Sequence, residues 1–243
     1  MLREGAAAGT RTAAGGMSGF AHVAIDGPAG SGKTTVARAL ARRLGALYLD
    51  TGAMYRALAY AALAAGRDPS DEAAMLELAR ARPVRVVPDG ASPEGFAVYV
   101  GDEPLGDELY ANEVSRIVSI VAAHPRIRSI LVDSQRAIAA EGPVVMAGRD
   151  IGTVVLPDAP VKVYLIASVP ERVERRRAEL AERGTIVDRD ALRDEIVERD
   201  RLDESRAVAP LRPAADAHTI DSSGLTVDQV VDRIAALVEA SAG

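Results

Sequence analysis

The chain of 243 residues contains no cysteine. Disulfides, thiolate metal ligands and cysteine nucleophiles are thereby excluded together. Nor is there an uninterrupted apolar run of the roughly 18 residues that a membrane helix needs, so no membrane partner is expected. Lysine occurs only twice, as Lys33 and Lys162, and every other long basic side chain is arginine. A net charge of −6 is the wrong sign for a general nucleic-acid coat, and no nucleic-acid partner is expected, although a local cationic pocket is compatible with it. The first 16 residues, MLREGAAAGTRTAAGG, are small and aperiodic and lack the apolar core of a signal peptide. Residues 1–19 are expected to form a disordered leader, with Met17 as an alternative start, and residues 20–243 the folded part. A cytoplasmic location is the default expectation.

What is present begins with a phosphate-binding pattern. Gly27, Pro28, Ala29, Gly30, Ser31, Gly32, Lys33, Thr34 and Thr35 satisfy GxxxxGK[ST]. The pattern follows an apolar run, His22 to Ile25, and opens a helical one, Thr35 to Ala41. Glycines in such a loop let successive N–H groups converge on one anion, and the helix N-terminus adds partial positive charge. Lys33 would reach the β/γ-phosphates of a nucleoside triphosphate, and the Thr34 hydroxyl would ligate Mg²⁺. The alternative, a glycine-rich turn that merely caps a helix, leaves the lysine unexplained.

Strand-like and helical runs alternate as a parallel α/β sheet requires. Expected strands are 46–49, 143–147, 161–166 and one near 219–220; expected helices run from about 53 to 65 and from 227 to about 239, the latter capped by Thr226. Val84–Pro88 and Phe96–Val100, joined by Asp89 to Ser92, read instead as an antiparallel hairpin. The expected fold is α/β: a P-loop kinase with a central parallel sheet flanked by helices, a small antiparallel acceptor-binding insertion over about 83–122, and a helical lid over about 170–190.

Bringing two polyanionic nucleotides together demands cation density rather than a strong general base. Scattered arginines supply it. Arg56 follows Asp50 and Thr51, which alone would read as an ordinary helix cap. Arg149 and Asp150 sit between glycines directly after a buried strand, where ligand sites of open α/β sheets lie. Arg172, Arg175 and Arg176 share a helix that is either a solvated face paired with Glu171, Glu174 and Glu179 or a mobile lid. Arg199, Asp203 and Arg206, spaced by four and three, fall on one helix face.

In this order, IDGPAGSGKTT, LDTGAMYRALA, AGRDIGTVVLPDAPVKVYL, ERDRLDESRAVAPL and PAADAHTIDSS resemble the bacterial cytidylate kinase family, over nearly everything from residue 20 onward. The resemblance implies transfer of the γ-phosphoryl of ATP to CMP and dCMP with Mg²⁺, by a monomer whose partners are these small molecules. It implies catalytic roles for Lys33, Arg149, Arg172, Arg175 and Arg176, and phosphate contacts from Arg56, Arg149 and Arg206. It places cytosine recognition on Ser119, Arg128 and Asp150, and ribose contacts on Arg199 and Asp203. The chain departs from the common family pattern in having Thr34 and Thr51; each supplies a hydroxyl, and Thr51 joins the substrate-binding set. A carboxylate such as Asp150 accepts from the cytosine amine, and Arg128 can donate to the ring nitrogen and carbonyl; uracil reverses donor and acceptor. A kinase for another monophosphate or small metabolite, or a P-loop ATPase that phosphorylates nothing, are the readings against which this one stands.

Overall fold

The computed structural model describes residues 22–89, 92, 95–182 and 184–241. The expected leader therefore lies outside the described residues, as do Gly90 and Ala91 of the hairpin connection.

Five parallel strands form the centre: β1 (His22–Asp26), β2 (Leu47–Asp50), β6 (Val144–Gly148), β7 (Val161–Ile166) and β8 (His218–Asp221), in the order β2-β6-β1-β7-β8. The central strands β6, β1 and β7 are near-continuous apolar runs because helices cover both faces; every residue of β6 is buried, whereas the edge strand β8 buries only Ile220. The first helix, α1 (Lys33–Leu44), leaves the phosphate loop and ends on Gly45 in the left-handed conformation, whose N–H bonds back to Ala41. Helix α2 (Thr51–Ala64) starts two residues before the expected position. Asp50 caps it, its Oδ1 accepting from Gly52 N at 2.9 Å. On the C-terminal helix α8 (Val227–Ser241), Thr226 Oγ1 accepts from Gln229 N, and Gln229 Oε1 accepts from Thr226 N, closing a capping box.

The hairpin is antiparallel, with β3 (Val84–Pro88) registering Val84 against Val100 and Pro88 against Phe96 of β4 (Phe96–Val100). A third strand, β5 (Glu103–Leu105), extends it. The inward residues Phe96, Val98 and Val100 are buried, and Tyr48 of the parallel sheet meets Phe96 with ring centroids 5.6 Å apart. Helices not singled out in the sequence fill the space around α2: α3 (Glu72–Ala81), α4 (Asn112–Val121) and α5 (Pro125–Ala140). One apolar cluster runs unbroken from Ile25 and Leu40 through Met54 and Leu58 to Val100, Val118 and Ile127. Two further helices, α6 (Val169–Glu182) and α7 (Arg189–Glu204), pack on each other through Val173, Leu180, Leu192 and Ile196.

Two features of this frame position the site. Strand β1 pairs with β6 on one side and β7 on the other, so Asp26, Gly148 and Tyr164 lie in one row at the carboxyl end of the sheet. The phosphate loop and the segment after β6 thus leave adjacent strands, where open α/β sheets hold ligands. At Gly27 the backbone has φ +150°, and a Cβ there would lie 2.0 Å from the Leu165 carbonyl oxygen. Only glycine lets the loop depart at that angle.

Candidate active site

At the strand ends a cleft of about 640 Å³ is lined by Ala29 to Thr35 on one side and by Arg56, Arg149, Arg175, Arg176 and Arg199 on the other. A smaller pocket of about 50 Å³ opens beside it, bounded by Thr51, Ser119, Arg128, Asp150, Asp203 and Arg206. Gly52, Gly148, Arg149 and Arg199 line both, so the two are continuous. The fold brings together all the residues singled out from the sequence except three: Gly27 and Pro28 form the root of the loop, and Arg172 lies behind it.

Lys33 is buried, and its Nζ donates to the Pro28 carbonyl at 2.6 Å and to Ser31 Oγ at 3.3 Å. Burial, followed by the positive charge of Arg149, pushes its pKa well below the usual ammonium range. An anion entering the loop would reverse that. Thr34 Oγ1 donates to Asp50 Oδ2 at 3.3 Å, which puts a hydroxyl and a carboxylate side by side at the mouth of the loop. Among the described residues no cluster of three or more His, Asp or Glu could hold a metal ion by itself.

On the opposite wall the arginines are crowded. Arg56 is buried and donates to Ser115 Oγ at 2.9 Å and to the Leu109 carbonyl at 3.2 Å, with its guanidinium over the Tyr110 ring. Burial lowers its pKa. Arg199 is pushed down to about 9, first by burial and then by Arg56 and Arg149, and its Nε has no partner. Arg206 Nε is likewise without one. Cations held this close without full pairing form a site for polyanions.

The small pocket is built from α2, α4, α5, α7, the turn after β6 and, through Arg206, the segment that follows α7. Arg128 and Asp150 form an ion pair with side chains 4% and 7% exposed. Arg128 also donates to the Ala122 carbonyl at 3.1 Å and lies over the Tyr55 ring, 5.4 Å from its centroid. Ser119 Oγ donates to Asp203 Oδ1 at 3.1 Å. The pocket therefore offers fixed charged donors and acceptors, with Tyr55, Val118 and Ala122 as its apolar walls.

The four arginines of α6 part company, with Arg177 outermost and paired with Glu174 at 3.1 Å. Arg175 donates to Ser222 Oγ at 2.9 Å and to the Ser222 carbonyl at 2.8 Å. Arg176 faces the cleft and pairs with Glu179 at 2.7 Å. Arg172 is buried, donating to the Ala29 carbonyl at 3.0 Å and pairing with Asp200 of α7 at 2.5 Å. Partners from Glu171, Glu174 and Glu179 are present as well, the solvated pairs that the helix pattern alone suggested.

Several side chains at the site have no reading from the sequence. Tyr55 sits inside a quoted motif, but nothing in its spacing marks it as a wall of the pocket. Asp50 appeared only as a cap, and Asp26 and Asp200 had no assigned part. Ser222, buried, ties the phosphate loop to the sheet by donating to the Ser31 and Ile166 carbonyls.

The model of the family described as cytidylate kinase matches residues 23–240. The chain belongs to the cytidylate kinase family. Among curated relatives, the cytidylate kinase of Pelotomaculum thermopropionicum is 50% identical over 224 residues, covering 92% of this chain and 98% of the relative. That of Geobacillus kaustophilus is 50% identical over 221 residues, covering 91% and 97%. Among solved structures, an uncharacterized protein from Eubacterium ventriosum superposes with a TM-score of 0.50 at 14% identity, over 90% of this chain and 98% of that one. The last likeness concerns the fold alone, while the first two span nearly the whole length of each relative.

Proposed function

We propose that this member of the family transfers the γ-phosphoryl group of ATP to the phosphate of CMP and dCMP, giving CDP or dCDP and ADP. The Arg128–Asp150 pair carries the reading. It presents a carboxylate acceptor and a guanidinium donor to a pocket continuous with the cleft that the phosphate loop lines. Cytosine offers an amine donor beside two acceptors, and uracil inverts that pattern at the amine and ring nitrogen. Asp203 and Arg199 take the ribose; Arg56, Arg149 and Arg206 take the acceptor phosphate.

The donor triphosphate lies along the loop amides from Gly27 to Thr35, with Lys33 turned from the Pro28 carbonyl to the β/γ-phosphates. The Thr34 hydroxyl and the Asp50 carboxylate, side by side at the mouth of the loop, would hold Mg²⁺, which when bound would supply charge neutralisation on the triphosphate. Arg149, Arg175 and Arg176 neutralise the transferring group. Arg172 acts on the loop from behind, through Ala29 and Asp200. Holding the reacting ends in line within a cation-lined, water-poor cleft supplies the catalysis, since the acceptor phosphate needs no strong base. One chain supplies every residue assigned here, in keeping with a monomer, and we place the enzyme with the cytoplasmic nucleotide pools.

A coupled assay for ADP across CMP, dCMP, UMP, AMP and GMP tests the proposal. ADP formation is expected to depend on added CMP or dCMP and to be much slower with UMP. Equal formation without any acceptor would make the protein an ATPase, and preference for a different monophosphate would overturn the base assignment.

A further inference from the structure

Asp26 is the last residue of β1, 4% exposed, and outside the pocket and cleft linings. Its two oxygens accept from two consecutive backbone amides across the sheet end: Oδ1 from Ile151 N at 2.7 Å and Oδ2 from Gly152 N at 2.8 Å. Ile151–Val155 is a π-type turn that follows Asp150 directly. A carboxylate thus caps the free amides of the turn whose preceding residues are Arg149 and Asp150. The opposite end of the same short segment is Gly27, wedged under the Leu165 carbonyl at the root of the donor loop. One residue ties both halves of the site to the central strand.

We propose that Asp26 is the positioning residue of the acceptor turn, setting Asp150 against the base and Arg149 against the phosphate in fixed register with the donor loop. The inference rests on the functional reading above but concerns a residue that touches neither nucleotide. The surroundings keep this carboxylate poised. Asp150 faces it from the turn, Lys33 from α1, and Lys162 and Tyr164 from β7, the Lys162 stem packing on Gly152 beside Asp26 Oδ2. Burial, opposed by the two amides, raises its pKa to about 6. Below that value the carboxyl group is protonated, and one of its two oxygens becomes a hydroxyl that no longer suits an amide donor.

Two measurements test the proposal. In the nucleotide-free enzyme, the ¹H and ¹⁵N amide shifts of Ile151 and Gly152 should titrate together with a midpoint near 6. This needs no substrate, so it stands even if the assigned acceptor were wrong. In kinetics, the ratio of kcat/KM for CMP over UMP cancels the titration of the acceptor phosphate, which the two share. In the wild type that ratio should fall about fourfold between roughly pH 7.5 and 5.5, following the ionised fraction of a carboxyl group whose pKa is about 6. Asp26→Asn should have the low ratio at both pH values while its affinity for an ATP analogue stays within about twofold of wild type. Amide shifts that do not move, or an Asp26→Asn enzyme with wild-type selectivity, would overturn the proposal. Loss of ATP-analogue binding in step with selectivity would do so too, by reducing Asp26 to a general structural role. Should the variant not fold, the wild-type titration and the pH dependence of the ratio decide.

Discussion

Asp203 Oδ2 accepts from Arg149 Nε at 2.8 Å, joining helix α7 to the turn after β6. Its other oxygen takes the Ser119 hydroxyl and the Arg206 guanidinium, so four elements of the acceptor pocket meet on one carboxylate.

Replacing that carboxylate by an isosteric amide should disperse the group. Asp203→Asn is expected to lower kcat/KM for CMP by about 100-fold, since it leaves the partly buried Arg149 and the largely buried Arg206 guanidinium short of their counter-charge. Burial alone would raise the Asp203 pKa, but Arg149, Arg206 and Arg199 outweigh it and hold it below the usual carboxylate range. A carboxylate depressed in this way stabilises the fold above its unfolded value, and the contribution is lost as pH falls through the folded value. Urea titrations should show a stability gap between wild type and variant that is constant above about pH 4 and narrows below it. A gap that widens on acidification would contradict the assignment.

The unpaired cation of Arg199 is a cost to the empty enzyme. Arg199→Met removes a charge pushed down to about 9 by burial and by Arg56 and Arg149. The nucleotide-free variant should melt a few degrees higher, roughly 2–4 °C per kcal/mol gained for a chain of this size. Its KM for CMP should rise at least about tenfold. The thermal gain should shrink above pH 9, where the wild-type group sheds its proton in the folded state. A variant that melts lower and still saturates normally would show that the site is not electrostatically loaded.

Asp150→Asn should invert base preference rather than abolish turnover. The amide can rotate to present its NH₂ to the uracil carbonyl, and a site built for one hydrogen-bond pattern rejects the other. The CMP-over-UMP ratio is expected to fall by about 100-fold. Because the Arg128 pair is broken, stability should drop by up to about 3–5 kcal/mol. An unchanged ratio in the folded variant would remove Asp150 from base recognition.

Gly148 closes β6 under the pocket, where a Cβ would fall 2.6 Å from both Thr51 Oγ1 and Ile151 Cδ1. Gly148→Ala should therefore cost about 1–3 kcal/mol by overpacking and displace Thr51 from the Ala147 carbonyl, to which it donates at 3.0 Å. Denaturant midpoints measure the first effect and KM for CMP the second. Neither should change if the turn can yield freely.

The parallel strands and the phosphate loop were legible in the sequence because local signals, apolar runs and a fixed glycine spacing, decide them. So were Arg149, Arg199 and Asp203, whose motif neighbours place them at a strand end or on one helix face. Arg206, expected on that same face, lies instead beyond α7, which ends at Glu204 with Ser205 as its cap, and reaches the site from the segment that follows. The part played by Arg172 was not legible. Helical spacing shows that it shares a face with Arg176, but not that Asp200 and the Ala29 carbonyl hold it behind the loop. Such partners are set by the packing of α6 and α7, and Ala29 and Asp200 are 171 positions apart in the chain. The strand β5 escaped notice because three residues, one of them Pro104, carry little pattern of their own. Asp26 became meaningful only when the sheet order put β1 beside β6, and Tyr55 only when α5 laid Arg128 over its ring.

Lys33 and Lys162 are each 7% exposed, and the sequence holds no other lysine. In the folded enzyme, reagents and acyltransferases that seek ε-amines accordingly find none on its outer face. Acylation of either would report a breathing motion rather than a surface event, and at Lys33 a bound triphosphate should shield the amine. The ratio of its labelling rates with and without nucleotide then gauges how often the donor seat is empty.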